Sequence, residues 1–310
     1  MLRNRIRGER LNTQRFKINL KIWLFIIPSL IGMTIFYFAP ALVALFYSMT
    51  DVHGYFIWFT NFTETLQNVA FQLAARNTFL FIIIGVPLSM VISFILASFS
   101  RDLKLKKLFT IIFIIPLIIP SGPMVFFWRS IFAENGLINR ILFVNNMDTV
   151  SWLSTSWAFV VVLIIYLIKY TGFNYVLFSA GFHLIPKDYY EVAKINGAGV
   201  FQTFRHVTFI YLLPTTFLVM IMSIINSFKI FREVYLLFGP YPQTSTYMLQ
   251  HFMNNQFIAA NLQRLSVTAI MLSILVLIVV LGIFKVQKKV SGEIDVNYKP
   301  TMPKFKIKTQ

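Results

Sequence analysis

Ile185-Pro186-Lys187-Asp188-Tyr189-Tyr190-Glu191-Val192-Ala193-Lys194-Ile195-Asn196-Gly197-Ala198-Gly199-Val200-Phe201-Gln202-Thr203-Phe204-Arg205-His206-Val207 is a polar island between two membrane-length apolar runs. It reads as two short amphipathic helices joined by a sharp turn. Pro186 opens the first, where its missing N–H costs nothing, with Asp188 and Glu191 near the positive end of the helix dipole. Asn196-Gly197 supplies the break, because Gly, and to a lesser degree Asn, tolerates positive φ. Beyond it Phe201, Phe204 and Val207 recur on one helical face. An apolar face at the edge of a membrane needs a partner.

The flanking sequence is that of a membrane protein. Of 310 residues 57% are hydrophobic, 34 are Phe and only 13% are charged. A hydrocarbon core takes roughly 20 apolar residues as a helix. Six stretches qualify, at 22–49, 77–99, 109–131, 155–178, 208–231 and 265–285. The first and fifth contain Pro28, Pro40 and Pro214, which membrane helices tolerate where neighbours satisfy the freed carbonyls. Pro116, Pro120 and Pro123 predict that the third is kinked or broken. Barrel-type alternation is absent. The expected fold is all-α: a six-helix transmembrane domain over 22–285 between basic tails at 1–21 and 286–310, both expected to be mobile.

Lys and Arg counts in short connections set the expected orientation. Residues 1–21 carry seven, the second connection carries Arg101, Lys104, Lys106 and Lys107, and the island carries Lys187, Lys194 and Arg205. Seven more lysines follow from Lys285 onward. The alternate connections hold only Arg76, Arg140 and Arg264, with Arg232 at a helix edge. Both termini and the island are therefore expected in the cytoplasm of a multi-pass cell-membrane protein. The net charge of +17 reads as a topology signal and as contact with anionic membrane lipids. Nucleic acid is not an expected partner, because the charges are split among short loops. The first apolar run is too long for a cleaved signal and should stay as a helix. With no cysteine there is no disulfide or thiolate chemistry.

The island resembles the cytoplasmic coupling loop of binding-protein-dependent ABC importer permeases. The positions that carry the likeness are Glu191, Ala193, Gly197, Ala198, Phe204 and Pro214. Val192, Asn196 and Ile210 depart from that family's usual Ala, Asp and first Pro. Asn61-Phe62, Phe71 with Arg76-Asn77-Thr78, Trp128-Arg129 with Asn135 to Asn139, and Gly239-Pro240 with Thr244 and Thr246 are similar to the sugar-permease branch, that of the maltose-type subunits. Phe238 stands where that branch has a first Gly. The resemblance implies a type I importer permease working by alternating access. Its partners would be cytoplasmic ATPase subunits, a second permease in a heterodimer and an extracytoplasmic solute-binding protein. Glu191, Ala193, Asn196, Gly197 and Ala198 would meet the ATPase, with Gly197 fixing the bend and Phe201 and Phe204 anchoring the second helix on the chain's own spans. For Glu191 two roles stand: pairing with a basic group of the ATPase, or a solvated charge at a helix start.

No Gly-x-x-x-x-Gly-Lys-Ser/Thr loop occurs, so ATP and Mg are expected on the separate ATPase, with no cofactor, metal or catalytic residue here. The four histidines are scattered over loops. Polar residues inside spans are default path candidates: Lys169, Tyr170 and Asn174 in the fourth, Asn226, Ser227 and Lys229 in the fifth. Tyr170 and Asn174, four apart on one face, suit a sugar. Lys169 can instead snorkel to the cytoplasmic interface, and Lys229 can instead pair with Glu233 one turn on. Every Asp and Glu is expected in a loop or at a span edge, which argues against an ion-coupled carrier. The competing reading is a permease for another solute, such as glycerol phosphate or a peptide.

Overall fold

The computed structural model describes residues 23–101 and 103–297, with side chains described as far as 290. The basic tail expected at 1–21 lies outside the described residues, as do the last residues of the chain. Among the described residues five helices are long and apolar enough to cross a membrane: α1 Trp23–Met49, α3 Val69–Ser100, α7 Trp157–His183, the continuous run Val200–Phe238, and the run Leu262–Val290, which is the apolar part of α13 (Leu262–Asn297). A sixth is formed if α4 Lys106–Ile118 and the run Ser121–Val144 are counted as one broken span. Short helices complete the order: α2 Thr60–Gln67, α5 Ser121–Phe132, α6 Leu137–Val144, α8 Lys187–Ile195, α9 Val200–Thr203, α10 Phe209–Lys229, α11 Phe231–Phe238 and α12 Leu249–Ile258. The described residues contain no strand beyond the single bridge Thr50–Phe56.

The chain divides into two compact units. In the first (described residues 23–66 and 256–271), α1 presents an almost wholly exposed apolar surface. Here Asn61 Nδ2 donates to the carbonyls of Ser48 at 3.1 Å and Thr50 at 2.9 Å, tying α2 to the end of α1.

The second unit (67–255 and 272–297) is centred on α7, of whose most apolar window 56% is buried, against 28% for α3. Helices α3, α4 and α10 pack on α7. At Gly172 α4 comes so close that a Cβ would lie 1.7 Å from the Phe113 carbonyl oxygen, so only glycine permits the approach. Asn68 starts α3 eight residues before the expected 77, its side chain accepting from Phe71 N at 3.1 Å.

The third span is broken, with a bend of 98° between Ile118 and Ser121. Pro116 removes one helical bond, and Ile119 before Pro120 is driven to extended backbone (ψ 127°). The fifth span differs from expectation at both ends. No Pro or Gly lies between Val200 and Pro214, so the loop's second helix runs through a π-helical turn at Phe204–Thr208 directly into α10. Past Ile230 the chain resumes as α11 and extends the run to Phe238. The sixth helix continues to Asn297, where a mobile tail was expected from 286.

Candidate functional site

The loop expected from the sequence is built as a helix, a hairpin bend and a second helix. Pro186 precedes α8, and Asp188 lies in its first turn. Its end is a Schellman motif: Ala198 N donates to Ala193 O at 2.9 Å and Gly197 N to Lys194 O at 3.1 Å, with Gly197 at φ +71°. Asn196 Nδ2 closes a further carbonyl, that of Val192, at 2.8 Å. The second helix starts as Gly199 N donates to Gln202 Oε1 at 3.1 Å. The N–H groups of Asn196, Gly197, Ala198 and Gly199 thus all have local partners, and these bonds need no external contact.

Outward from this bend the loop is exposed and apolar: Val192, Ile195, Val200 and Phe201 all face away from the bundle. Glu191 is exposed, with Ala193 and Ala198 half-buried beside it. Phe204 packs edge-on against Phe94 of α3 at 5.9 Å, as expected of an anchor. Phe201 does not anchor. It is 72% exposed, one turn farther from the fifth span than Phe204. The tethers that sequence reading missed are tyrosines. Tyr190 sits under the Arg101 guanidinium at 4.4 Å and its hydroxyl meets Thr208 Oγ1 at 3.1 Å; Tyr189 packs on Tyr211 at 4.9 Å. Two adjacent aromatics on a coupling-type helix were the available signal.

Inside the bundle the six path candidates separate. Asn174 is fully buried and its Nδ2 donates to Ser89 Oγ at 2.9 Å and Ser223 Oγ at 2.8 Å, joining α7, α3 and α10. Tyr170 is buried one turn away and packs on Tyr166, whose hydroxyl donates to Ser223 O at 3.0 Å. Asn226 and Ser227 are buried, with Ser227 Oγ bonded to its own helix at Ile224 O. Lys229 is exposed on that same helix.

Three readings are corrected here. Lys169 does not snorkel: it is buried near the middle of α7, where its ammonium forms an ion pair with Glu233. Glu233 accordingly pairs with Lys169 and not with Lys229. It is not at a span edge either, being 1% exposed within the continuous run Val200–Phe238, because the helix carries on past the break that ends the apolar run in sequence. Its Oε1 also accepts from Ser121 Oγ at 2.6 Å, at the start of α5. Glu233, read in the sequence only as an alternative partner for Lys229, is a buried charged group.

Residues 85–289 match the family described as binding-protein-dependent transport system inner membrane component. Among curated proteins, the arabinooligosaccharides transport system permease protein AraP of Bacillus subtilis is 27% identical over 282 residues, covering 87% of this chain and 88% of its own. The lactose transport system permease protein LacF of Rhizobium radiobacter is 27% identical, covering 69% and 74%. Among solved structures, a bacterial ABC transporter involved in import of the acidic polysaccharide alginate superposes with a TM-score of 0.76 at 18% identity, over 89% of this chain and 98% of that one. That likeness is one of fold.

Proposed function

This chain belongs to the binding-protein-dependent transport system inner membrane components, and from that premise we propose that it is the permease subunit of an ATP-driven importer for a sugar or oligosaccharide. The carrying observation is the loop at 185–207. It is a self-contained helix–bend–helix whose exposed Val192, Ile195, Val200 and Phe201 make an apolar surface that no described residue covers. A cytoplasmic ATPase that seats this surface would move α8, and Tyr189, Tyr190 and Phe204 would pass the motion to α3 and α10. Glu191, Ala193, Asn196, Gly197 and Ala198 are assigned to that contact or to its bend. ATP and Mg belong to the ATPase, and the chain itself carries out no bond chemistry. Both termini lie in the cytoplasm, following the Lys and Arg distribution. A second, related permease would cover the exposed α1, and a solute-binding protein would dock on the opposite side.

The sugar assignment draws on relatives named for arabinooligosaccharide and lactose transport, and on the charge state of the bundle interior. Lys169 is neutralised by Glu233, so the bundle interior offers hydroxyls, amides and tyrosines to an uncharged polar solute rather than a free cation to a phosphate. Tyr170, Asn174, Asn226 and Ser227 are assigned to the path, exposed to it when the spans rock apart. Lys229 keeps a phosphorylated solute as the second reading, since its ammonium is exposed and has no partner among the described residues.

The test is affinity capture of this protein from crosslinked native membranes in mild detergent, with mass spectrometry of its companions. An ATPase, a second permease and a solute-binding protein are expected together. Capture of this chain alone under those conditions would overturn the importer reading in favour of a self-contained carrier.

A further inference from the structure

The broken third span is held to α7 in two ways that differ in kind. Before the break, α4 is fixed at Gly172 by backbone contact with Phe113. After the break, α5 is held at its first residue, where Ser121 Oγ donates to Glu233 Oε1 and Glu233 in turn pairs with Lys169 of α7. Glu233 itself lies three residues past Ile230, the single turn residue that joins α10 to α11 within the continuous run Val200–Phe238. One buried cluster therefore joins the middle of α7 to the first turn of α5, just past the 98° bend, and to the first turn of α11.

Steric contact at Gly172 cannot be undone without separating helices, whereas a three-membered polar cluster can open by rotating side chains. Buried ion pairs are poor devices for stability alone, because apolar residues of similar volume usually do as well or better; their best-attested use is in specifying one arrangement over another. Glu233 Oε2 is buried with no hydrogen-bond partner among the described residues, so its second carboxylate oxygen is not held by the cluster. Ionisable groups inside membrane spans are functional by default.

We propose that Lys169, Glu233 and Ser121 form a latch that holds α5 and α11 against α7 in this conformation, and that the latch opens during each transport cycle, with the bend at Ile119–Pro120 as the hinge. The three are positioning residues for translocation. The proposal rests on the importer reading above.

The assembled importer in proteoliposomes tests it, through Lys169→Met/Glu233→Met and through Ser121→Cys/Glu233→Cys in a chain with no native cysteine. Loss of the latch should raise ATP hydrolysis without binding protein about tenfold and lower sugar uptake per ATP by a similar factor, the usual size of a conformational coupling. The reversed pair Lys169→Glu/Glu233→Lys should recover part of the coupling, which loss of packing alone would not predict. Joining the two cysteines with a reducible bis-maleimide should abolish the uptake this variant retains, and reduction should return it to the variant's own level. Equal uptake before and after cross-linking would overturn the latch, even if the double Met variant fails to accumulate. Unchanged hydrolysis and uptake in the double Met variant would do the same. Absence of ATP-driven uptake in the unaltered protein would instead sink the importer reading itself.

Discussion

At the scale of single residues, positions that look alike in sequence do different physical work. Gly172 and Gly181 are both glycines in an apolar run, and both are packing residues: a Cβ would meet Phe113 O at 1.7 Å in one and Thr215 Oγ1 at 2.6 Å in the other. The first contact is backbone, which cannot rotate away. Gly172→Ala should therefore separate α4 from α7 and cost about 1–3 kcal/mol or more, seen as a lowered midpoint in thermal melts of the purified protein, while Gly32→Ala, with nothing within 4 Å, serves as the neutral control. His251 gives a pH signature. It is fully buried in α12, its Nδ1 accepts from Met248 N at 3.3 Å, and burial lowers its pKa from 6.5 to about 4. Between those values the unfolded chain binds a proton the folded one refuses, so stability from this group is intact above pH 6.5 and falls as pH drops toward 4. The shift corresponds to at most about 3 kcal/mol. His251→Phe should flatten melting temperature against pH over that window; an unchanged slope would show that another group sets it. None of this was legible in the chain, where His251 is one of four scattered histidines. Lys169 was legible as a polar residue in a span, but its partner was not, since Glu233 follows the end of the apolar run by two positions and only the continuation of the helix past Ile230 brings it inside.

At the scale of elements, what was legible is what local chemistry decides. The bend at 196–198 follows from Asn-Gly and closes with bonds spanning five residues or fewer, so it needed nothing from the rest of the protein. The broken third span follows from Pro116 and Pro120 in the same way. Phe201 and Phe204 were not separable, because three residues apart on an ideal helix they share a face, and only Phe204, one turn nearer the fifth span, reaches Phe94 before the π turn at Phe204–Thr208. That turn sits where the loop enters the fifth span, and removing its extra residue would realign the loop with α10. The bend itself offers the cleaner experiment. Gly197 is at φ +71°, and proline is confined near −65°, so Gly197→Pro cannot make the Schellman closure. The loop is largely exposed and the spans do not pack on Gly197. Membrane insertion should therefore be retained while uptake falls by at least tenfold, with ATP hydrolysis no longer stimulated by binding protein. Wild-type uptake in this variant would remove the loop from the coupling path.

At the scale of the whole molecule, the sequence carries two independent records, one of depth and one of side. Depth is written in apolar length, and five of the six expected runs are single helices in the structure, with the third split by its prolines. Side is written in the Lys and Arg imbalance, a property of membrane insertion that no folded geometry records. A chain without cysteine allows the second record to be read directly, since any single introduced thiol is the only one it has. Val200 is 91% exposed in the loop and Val144 is 78% exposed at the end of α6, and neither packs in the core, so cysteine at either should leave the fold intact. An impermeant maleimide added to whole cells stripped of any outer barrier should label Val144→Cys and spare Val200→Cys, and inverted membrane vesicles should give the opposite pattern. The inverse result would place the loop outside, where no ATP is present, and Val192, Ile195 and Phe201 would then have to face the solute-binding side. Labelling of Val200→Cys in vesicles that weakens when the co-purified ATPase is added back would tie the orientation to the coupling surface in one experiment, because the only exposed apolar segment of the loop would be both inside and covered.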